Sequence, residues 1–320
     1  MNQPRISIKK IKLSVIVLFY YGEQWINMCV ESLQNQSLPR DSYEIILVDN
    51  GGSTPSVGNY SEQSNIKVLF FSDNLGFTAG NNSALSYAEG ELVLLMNQDV
   101  VVHYDCLQEL ITSFESYPNA GIISANMLMV SQTDSINPQG PLSKTVGCYR
   151  LTRMGYANYE VQKIEREIIS VDFVSGNALG FRKRILSDVG NYLFDERLGS
   201  YAEDLDLSLR LNKTKWKMFV CPQAIVYHYR DDAFSGSPVK MLRKLLHVSS
   251  NRLLVYYYNL PVTAFLQKFP ALIMGIAFKV ARPDGSRKFN ILNFLIALSC
   301  VPAILAYFGI RIFETKKDGG

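Results

Sequence analysis

The residues best suited to chemistry stand at the end of an apolar run. Leu92-Val93-Leu94-Leu95-Met96 gives way to Asn97-Gln98-Asp99, and Val100-Val101-Val102 follows. An uncharged run of this length suits a strand buried on both faces of a parallel sheet. Along extended backbone, residues two apart point to the same side. Asn97 and Asp99 can therefore offer two oxygens to one point beyond the strand's carboxyl end, where open α/β sheets bind ligands. Paired oxygens there suit a hard cation such as Mg²⁺ or Mn²⁺ carrying substrate phosphates. A plain polar turn between two strands is the competing reading of the same triplet.

Three further positions invite the same question. Asp49 opens the turn cluster Asp49-Asn50-Gly51-Gly52-Ser53 after an apolar run, and an Asx turn would explain it without chemistry. Glu203-Asp204 opens a helical pattern carried by Leu205, Leu207, Leu209 and Leu211. Acids in a first helical turn are favoured by the helix dipole, which accounts for them with no further role. His228, one of three histidines, ends the apolar stretch Ala224-Ile225-Val226-Tyr227 and is either a packing residue or a ligand.

The elements that must position these groups follow in order. Leu13–Phe19 reads as a strand, residues 23–36 as a helix through Ile26, Val30 and Leu33, and residues 43–48 as a second strand. Ile66–Phe71 is a third strand, ending at Asp73-Asn74-Leu75-Gly76, and a helix over 81–88 leads into the Leu92 strand. This alternation predicts an α/β fold with a doubly wound parallel sheet and right-handed crossovers. Polar clusters close three strands, at Tyr20, Asp49 and Asp99, so they can line one edge. Neither a G-x-G-x-x-G after the first strand nor a P-loop is present, which argues against a hydride-transfer enzyme.

The chain has 320 residues, 48% hydrophobic and 19% charged, enough for one large core and an appendage. Five scattered cysteines without a C-x-x-C pair argue against a disulfide framework or a zinc site and fit a reducing compartment. Lys9-Lys10-Ile11-Lys12 and the apolar residues after it imitate a signal peptide, but the run is short and lacks a small-residue cleavage site. Residues 240–320 hold 12 Lys and Arg against 3 Asp and Glu, and they are also the most apolar part. Basic plus apolar points to an anionic membrane surface and away from nucleic acid.

Six pieces in order carry a resemblance. They are Val15-Ile16-Val17-Leu18-Phe19-Tyr20; Val48-Asp49-Asn50-Gly51-Gly52-Ser53; Asn74-Leu75-Gly76-Phe77-Thr78-Ala79-Gly80-Asn81-Asn82; Asn97-Gln98-Asp99; Val174-Ser175-Gly176-Asn177-Ala178-Leu179-Gly180-Phe181-Arg182; and Glu203-Asp204-Leu205-Asp206-Leu207 with Val226-Tyr227-His228 beyond it. Together they resemble a family 2 glycosyltransferase of the rhamnosyltransferase-like branch, over roughly residues 13–230.

The resemblance implies a GT-A fold: a Rossmann-like, mostly parallel central sheet flanked by helices. It implies that Asp49 reads the nucleotide, with Phe19 and Tyr20 flanking the base and Asn74, Gly76, Asn81, Asn97 and Gln98 completing the nucleotide site. Asn82, Gly176, Asn177, Arg182 and Glu203 would face donor sugar or acceptor. Asp99, His228 and Asn97 would hold Mg²⁺ or Mn²⁺, with Asn97 standing where the family's D-x-D carries its first acid. Asp204 would be the base of an inverting transfer from dTDP-rhamnose or a UDP-sugar to a glycan or lipid-linked acceptor in cell-surface polysaccharide assembly. The competing readings are a catalytically weak carbohydrate- or partner-binding relative and a sugar-phosphate nucleotidyltransferase, although Tyr20-Tyr21-Gly22-Glu23-Gln24 lacks the latter's basic, Gly-rich loop.

Residues 1–239 form the expected transferase domain and residues 240–320 a helical, membrane-associating region. Residues 289–310 carry no charge and are long enough to span a bilayer, but Pro302 and two asparagines interrupt them. The expectation is of interfacial helices on the cytoplasmic face of the membrane, with one span or a packing surface for another chain as alternatives. Residues 131–170 read as an irregular excursion, either an acceptor-side loop or a surface loop. Homo-oligomerisation is left open.

Overall fold

The first strand shows why this sheet is buried on both sides. Along β1 (Leu13–Phe19) the odd residues Val15, Val17 and Phe19 join one apolar cluster and Ile16 joins the other. Alternate side chains of a strand point to opposite faces, so a strand with apolar side chains on both faces needs helices on both. In the computed structural model, which describes residues 11–152, 155, 157–165, 167–229, 238–277, 280–281, 287–288 and 291–299, those helices are present. α1 (Ile26–Gln34) supplies Ile26, Val30 and Leu33 to the first cluster.

β2 (Tyr43–Asn50), β3 (Ile66–Phe71), α2 (Gly76–Leu85), β4 (Leu92–Asn97), β5 (Val100–Val102), α3 (Cys106–Ser116) and β6 (Ala120–Val130) come next. After them run β7 (Thr145–Leu151), β8 (Ala157–Lys163), β9 (Ile169–Val171), β10 (Ala178–Arg182), α4 (Glu203–Leu211) and β11 (Lys217–Tyr229). α3 covers the first face. α2 and α4 cover the second, through Ala84, Leu85, Leu207 and Leu211.

The main sheet runs β3-β2-β1-β4-β10-β6-β11-β5, with β9 also paired to β11. β3, β2, β1 and β4 are parallel, as the βαβ alternation predicts. β10 then enters antiparallel between β4 and β6, and β11 runs parallel to β6. Register sets the functional edge: Phe19 lies beside Asp49 and Leu18 beside Asn97, so the carboxyl ends of three neighbouring strands finish together.

Three expectations change. α2 begins at Gly76 rather than at Asn81, because Gly76 takes a φ of +77° that turns the chain directly into the helix. α1 is shorter than 23–36. The stretch 131–170 contains the β7–β8 hairpin and β9.

Arg182 is the clearest correction to the expected site. Because β10 is antiparallel to β4, its first residue, Ala178, sits beside Met96 near the functional edge, while Arg182 sits beside Leu92 at the far end. Its buried guanidinium donates to the carbonyls of Ala120, at 3.0 Å, and Phe114, and stands 5.2 Å from the Phe114 ring centre.

By internal contacts the chain divides into two units: residues 1–150 with 159–231, and residues 151–158 with 232–320. The second unit holds α5 (Pro238–Asn259), α6 (Val262–Ala277) and α7 (Ile291–Ser299) around Leu253, Tyr257, Phe265 and Leu272. Among the described residues no helix is long and apolar enough to cross a membrane. Most of the stretch 289–310 lies outside the described residues.

Arg182→Met strips a charged donor from two buried carbonyls, so it should cost about 2 kcal/mol or more in urea unfolding and leave nucleotide affinity unchanged. Lost nucleotide affinity at unchanged stability would return Arg182 to the binding site.

Candidate active site

β4 ends at Asn97, Gln98-Asp99 forms a turn, and β5 pairs antiparallel with β11 so that Val100 lies beside His228. The Tyr229 amide donates to the Asp99 carbonyl at 2.9 Å, fixing that register. The result brings Asp99 Oδ1 to 3.2 Å from His228 Nε2, with both side chains mostly buried. Two adjacent ligands of one small cation keep about this spacing, since each sits about 2.1 Å from the ion. The other ring nitrogen, Nδ1, is buried with no hydrogen-bond partner, so the ring's polar contact is made on the Asp99 side. Asp99 and His228 could thus hold a divalent cation. Asn97 is turned elsewhere: its Nδ2 donates to Asn177 Oδ1 at 3.0 Å, and its backbone N–H to the Asn177 carbonyl. The two oxygens anticipated from one extended run are replaced by an oxygen and a nitrogen from neighbouring strands, because the strand ends before Asp99.

A cleft of about 380 Å³ opens beside this pair, lined in part by Tyr20, Asn50, Asn74, Gly76, Asn97, Gln98 and Asp99. Several expected nucleotide residues shape it from behind. Asp49 is 2% exposed, and its Oδ1 accepts from the Ser53 and Thr54 amides at 2.9 and 3.0 Å. Ser53 and Thr54 in turn accept from the Tyr21 and Gly22 amides. Gln98 completes the hold on that loop: its Oε1 accepts from the Tyr20 amide and its Nε2 donates to the Tyr20 carbonyl. Asn74 Oδ1 accepts from the Gly76 amide and from Asn50 Nδ2.

Phe19 and Tyr20 do not form a pair around a base. Strand alternation puts Phe19 entirely in the core and leaves Tyr20 at the cleft mouth, 43% exposed. Asn81 is also withdrawn: it is buried within α2, where its Nδ2 donates to the Phe77 carbonyl. Asn82 turns to another segment, donating to the Phe194 carbonyl at 2.8 Å and to Glu196 at 3.0 Å.

A second cavity of about 330 Å³ shares Phe77, Asn97 and Ser200 with the first and is bounded by Gly176, Asn177, Tyr201, Glu203 and Asp204. Asp204 lies in the first turn of α4 and accepts from the Leu205 amide at 2.8 Å and the Gly176 amide at 3.4 Å. Burial pushes its carboxyl up to about 6, against these donors. Glu203 is raised further, by burial and by the neighbouring Asp204, and its Oε2 has no partner. Asp206 is structural: it pairs with Arg210 at 2.7 Å, and Arg210 also donates to the carbonyls of Val189 and Leu193.

Asn50, Phe77, Ser200, Tyr201 and Ala202 also line these cavities, although the sequence patterns did not single them out. The backbone just before α4 is strained: Tyr201 and Ala202 both take a φ of +68°. Such outliers persist only where the surroundings over-determine them, and no residue pattern announces them.

Known proteins resemble this chain in sequence and in fold. Residues 14–190 match the family description Glycosyl transferase family 2. The N-acetylglucosaminyl-diphospho-decaprenol L-rhamnosyltransferase of Mycobacterium tuberculosis is 26% identical over 220 residues, 62% of this chain and 70% of that protein. The O-antigen biosynthesis protein RfbC of Myxococcus xanthus is 25% identical over 68% of this chain, which spans only 17% of that longer protein. Residues 1–349 of S. aureus TarS in complex with UDP-GlcNAc superpose with a TM-score of 0.56 at 20% identity, covering 86% of this chain and 74% of that one. A Pyrobaculum calidifontis mannosyltransferase in complex with GDP-Man and Mn²⁺ gives 0.56 at 17% identity, covering 96% and 84%. The chain therefore belongs to glycosyl transferase family 2, on its rhamnosyltransferase-like branch, and is a glycosyltransferase with the GT-A fold.

Proposed function

We propose that this enzyme moves a sugar from a nucleoside diphosphate to an acceptor hydroxyl in one inverting displacement. One observation carries the reading: the half-buried carboxylate Asp204 lines a cavity that shares Asn97, Phe77 and Ser200 with the cleft holding Asp99. The acceptor oxygen bonds to the anomeric carbon as that carbon's bond to the diphosphate oxygen breaks, and the hydroxyl proton passes to Asp204. An ionised Asp204 is placed to accept it. Burial and the neighbouring Asp204 raise the Glu203 carboxyl, which favours its protonated form and a role other than nucleophile. It serves as a hydrogen-bonding group for a sugar hydroxyl.

Asp99 and His228 would hold Mg²⁺ or Mn²⁺, which when bound neutralises charge on the leaving diphosphate. Two protein ligands suffice for a cation that takes its remaining partners from phosphate and water, and among the described residues no third acid, histidine or cysteine joins them. The Asn50–Asn74–Gly76 network and Tyr20 form the wall for the nucleotide. dTDP-rhamnose is the first donor to try, from the name of the mycobacterial relative, with UDP-linked hexoses second, from the TarS complex.

The second unit suits a lipid surface. Val262, Leu266, Pro270 and Met274 are exposed at four-residue steps along α6, as are Ile291, Leu295 and Leu298 at successive turns of α7, while exposed Leu242 and Arg243 lie on α5. Apolar stripes beside basic side chains favour an anionic interface. The enzyme then works peripherally on the cytoplasmic face of the membrane, on a glycan or lipid-linked acceptor. Leu266→Glu with Leu295→Glu should lower binding to anionic phospholipid vesicles about tenfold or more, from lost apolar burial. Unchanged vesicle binding would contradict the interfacial role.

Asp204→Asn should cut sugar transfer by about 10³-fold while dTDP or UDP affinity stays within about twofold. Because only the ionised base accepts a proton, wild-type kcat should climb about tenfold per pH unit below the raised Asp204 value and level off above about 6. Undiminished turnover by the variant, or a flat profile across that range, removes Asp204 from the role.

A further inference from the structure

We infer that Asn82 and Thr78, on α2, are positioning residues for Asp204, holding the segment that delivers the base from the same helix that begins at the nucleotide cleft. This rests on the assignment of Asp204 as base. Three observations support it. First, the Asn82 carboxamide pairs with both backbone groups of Phe194: Nδ2 donates to the Phe194 carbonyl at 2.8 Å and Oδ1 accepts from the Phe194 amide at 3.1 Å. A third contact, from Nδ2 to Glu196 Oε1 at 3.0 Å, locks the side chain's orientation. Second, Thr78 contributes both its backbone N–H and its hydroxyl to the Gly199 carbonyl, at 3.0 and 3.2 Å. Gly76 lies against the same carbonyl, which a Cβ there would meet at 3.3 Å. Phe77 stacks near Phe194, ring centres 5.8 Å apart.

Third, the chain between these anchors and the base is conformationally costly. Gly199 takes a φ of +64°, Tyr201 and Ala202 each +68°, and Ala202 is the residue immediately before α4. No side chain caps that end of α4, so its first turn lacks that means of fixing where it points. The α2 contacts supply it from outside. A misplaced proton acceptor slows transfer strongly, so loosening this hold should act on the chemical step, whereas the cleft wall keeps Gly76, held by Asn74, and the 20–22 loop, held by Gln98, Ser53 and Thr54.

The test uses the full chain and four variants: Asn82→Ala, Thr78→Val, Thr78→Ser and Asp204→Asn. Asn82→Ala and Thr78→Val should each lower kcat about tenfold or more, with KM for the donor the wild type uses, dTDP-rhamnose or UDP-GlcNAc, within about threefold. Thr78→Ser keeps the hydroxyl and should turn over within about twofold of wild type. In hydrogen–deuterium exchange, amides of 194–204 should exchange about tenfold faster in the first two variants while those of 20–22 do not change. Loss of kcat without faster exchange at 194–204, faster exchange with kcat intact, or loss of nucleotide affinity together with kcat would each overturn the proposal. If Asn82→Ala does not fold, the two Thr78 variants decide it. Full turnover by Asp204→Asn removes the base assignment instead, whatever exchange the α2 variants show.

Discussion

The contact on which the active site depends is the pairing of β5 with β11. β5 has three residues, yet it is what sets Asp99 against His228, two groups far apart in the chain. Backbone hydrogen bonds do the placing. Val100 lies beside His228, and the Tyr229 amide reaches the Asp99 carbonyl. A shift of one residue would turn His228 to the opposite face of the sheet and separate it from Asp99. The apolar side chains that fix this register, Val100, Val102 and Val226, are fully buried, so core packing and the placing of Asp99 against His228 are the same constraint.

Polar residues around the cleft divide into those that meet solvent and those that hold the walls. Gln98 and Asn82 do the second in the same way: each turns a carboxamide, donor and acceptor together, onto the backbone C=O and N–H of a single residue in another segment. Asp49 performs a related task with a carboxylate and two amides. A carboxamide matches a peptide in both directions and carries no charge, so it fixes a loop without the desolvation cost of an ion. This lets the 20–22 and 194–204 segments take unusual conformations, Tyr21 at a φ of +51° among them, and still present side chains reproducibly.

Much of this was legible in the residues, and the exceptions share a cause. Apolar runs located β1, β2, β3 and β4 because continuous burial leaves a compositional trace. Motif order pointed to Asp99, His228 and Asp204; Asp99 and Asp204 line cavities that share three residues, and His228 lies against Asp99. Phe19, Asn81, Asn82 and Arg182 misled because a motif names positions, whereas direction depends on strand sense and side-chain alternation. Arg182 belongs to the same short strand as Ala178, yet the antiparallel entry of β10 carries it to the opposite edge. The strained Tyr201-Ala202 pair leaves no trace at all, since neither residue type favours a positive φ.

The central claim is that Asp99 and His228 bind one divalent ion at the donor cleft. Electron paramagnetic resonance of Mn²⁺ titrated into the protein with dTDP or UDP tests it most directly. One bound ion per chain is expected, with affinity falling about tenfold or more in Asp99→Ala and in His228→Ala, since each removes a ligand. Undiminished Mn²⁺ binding by both variants would contradict the account.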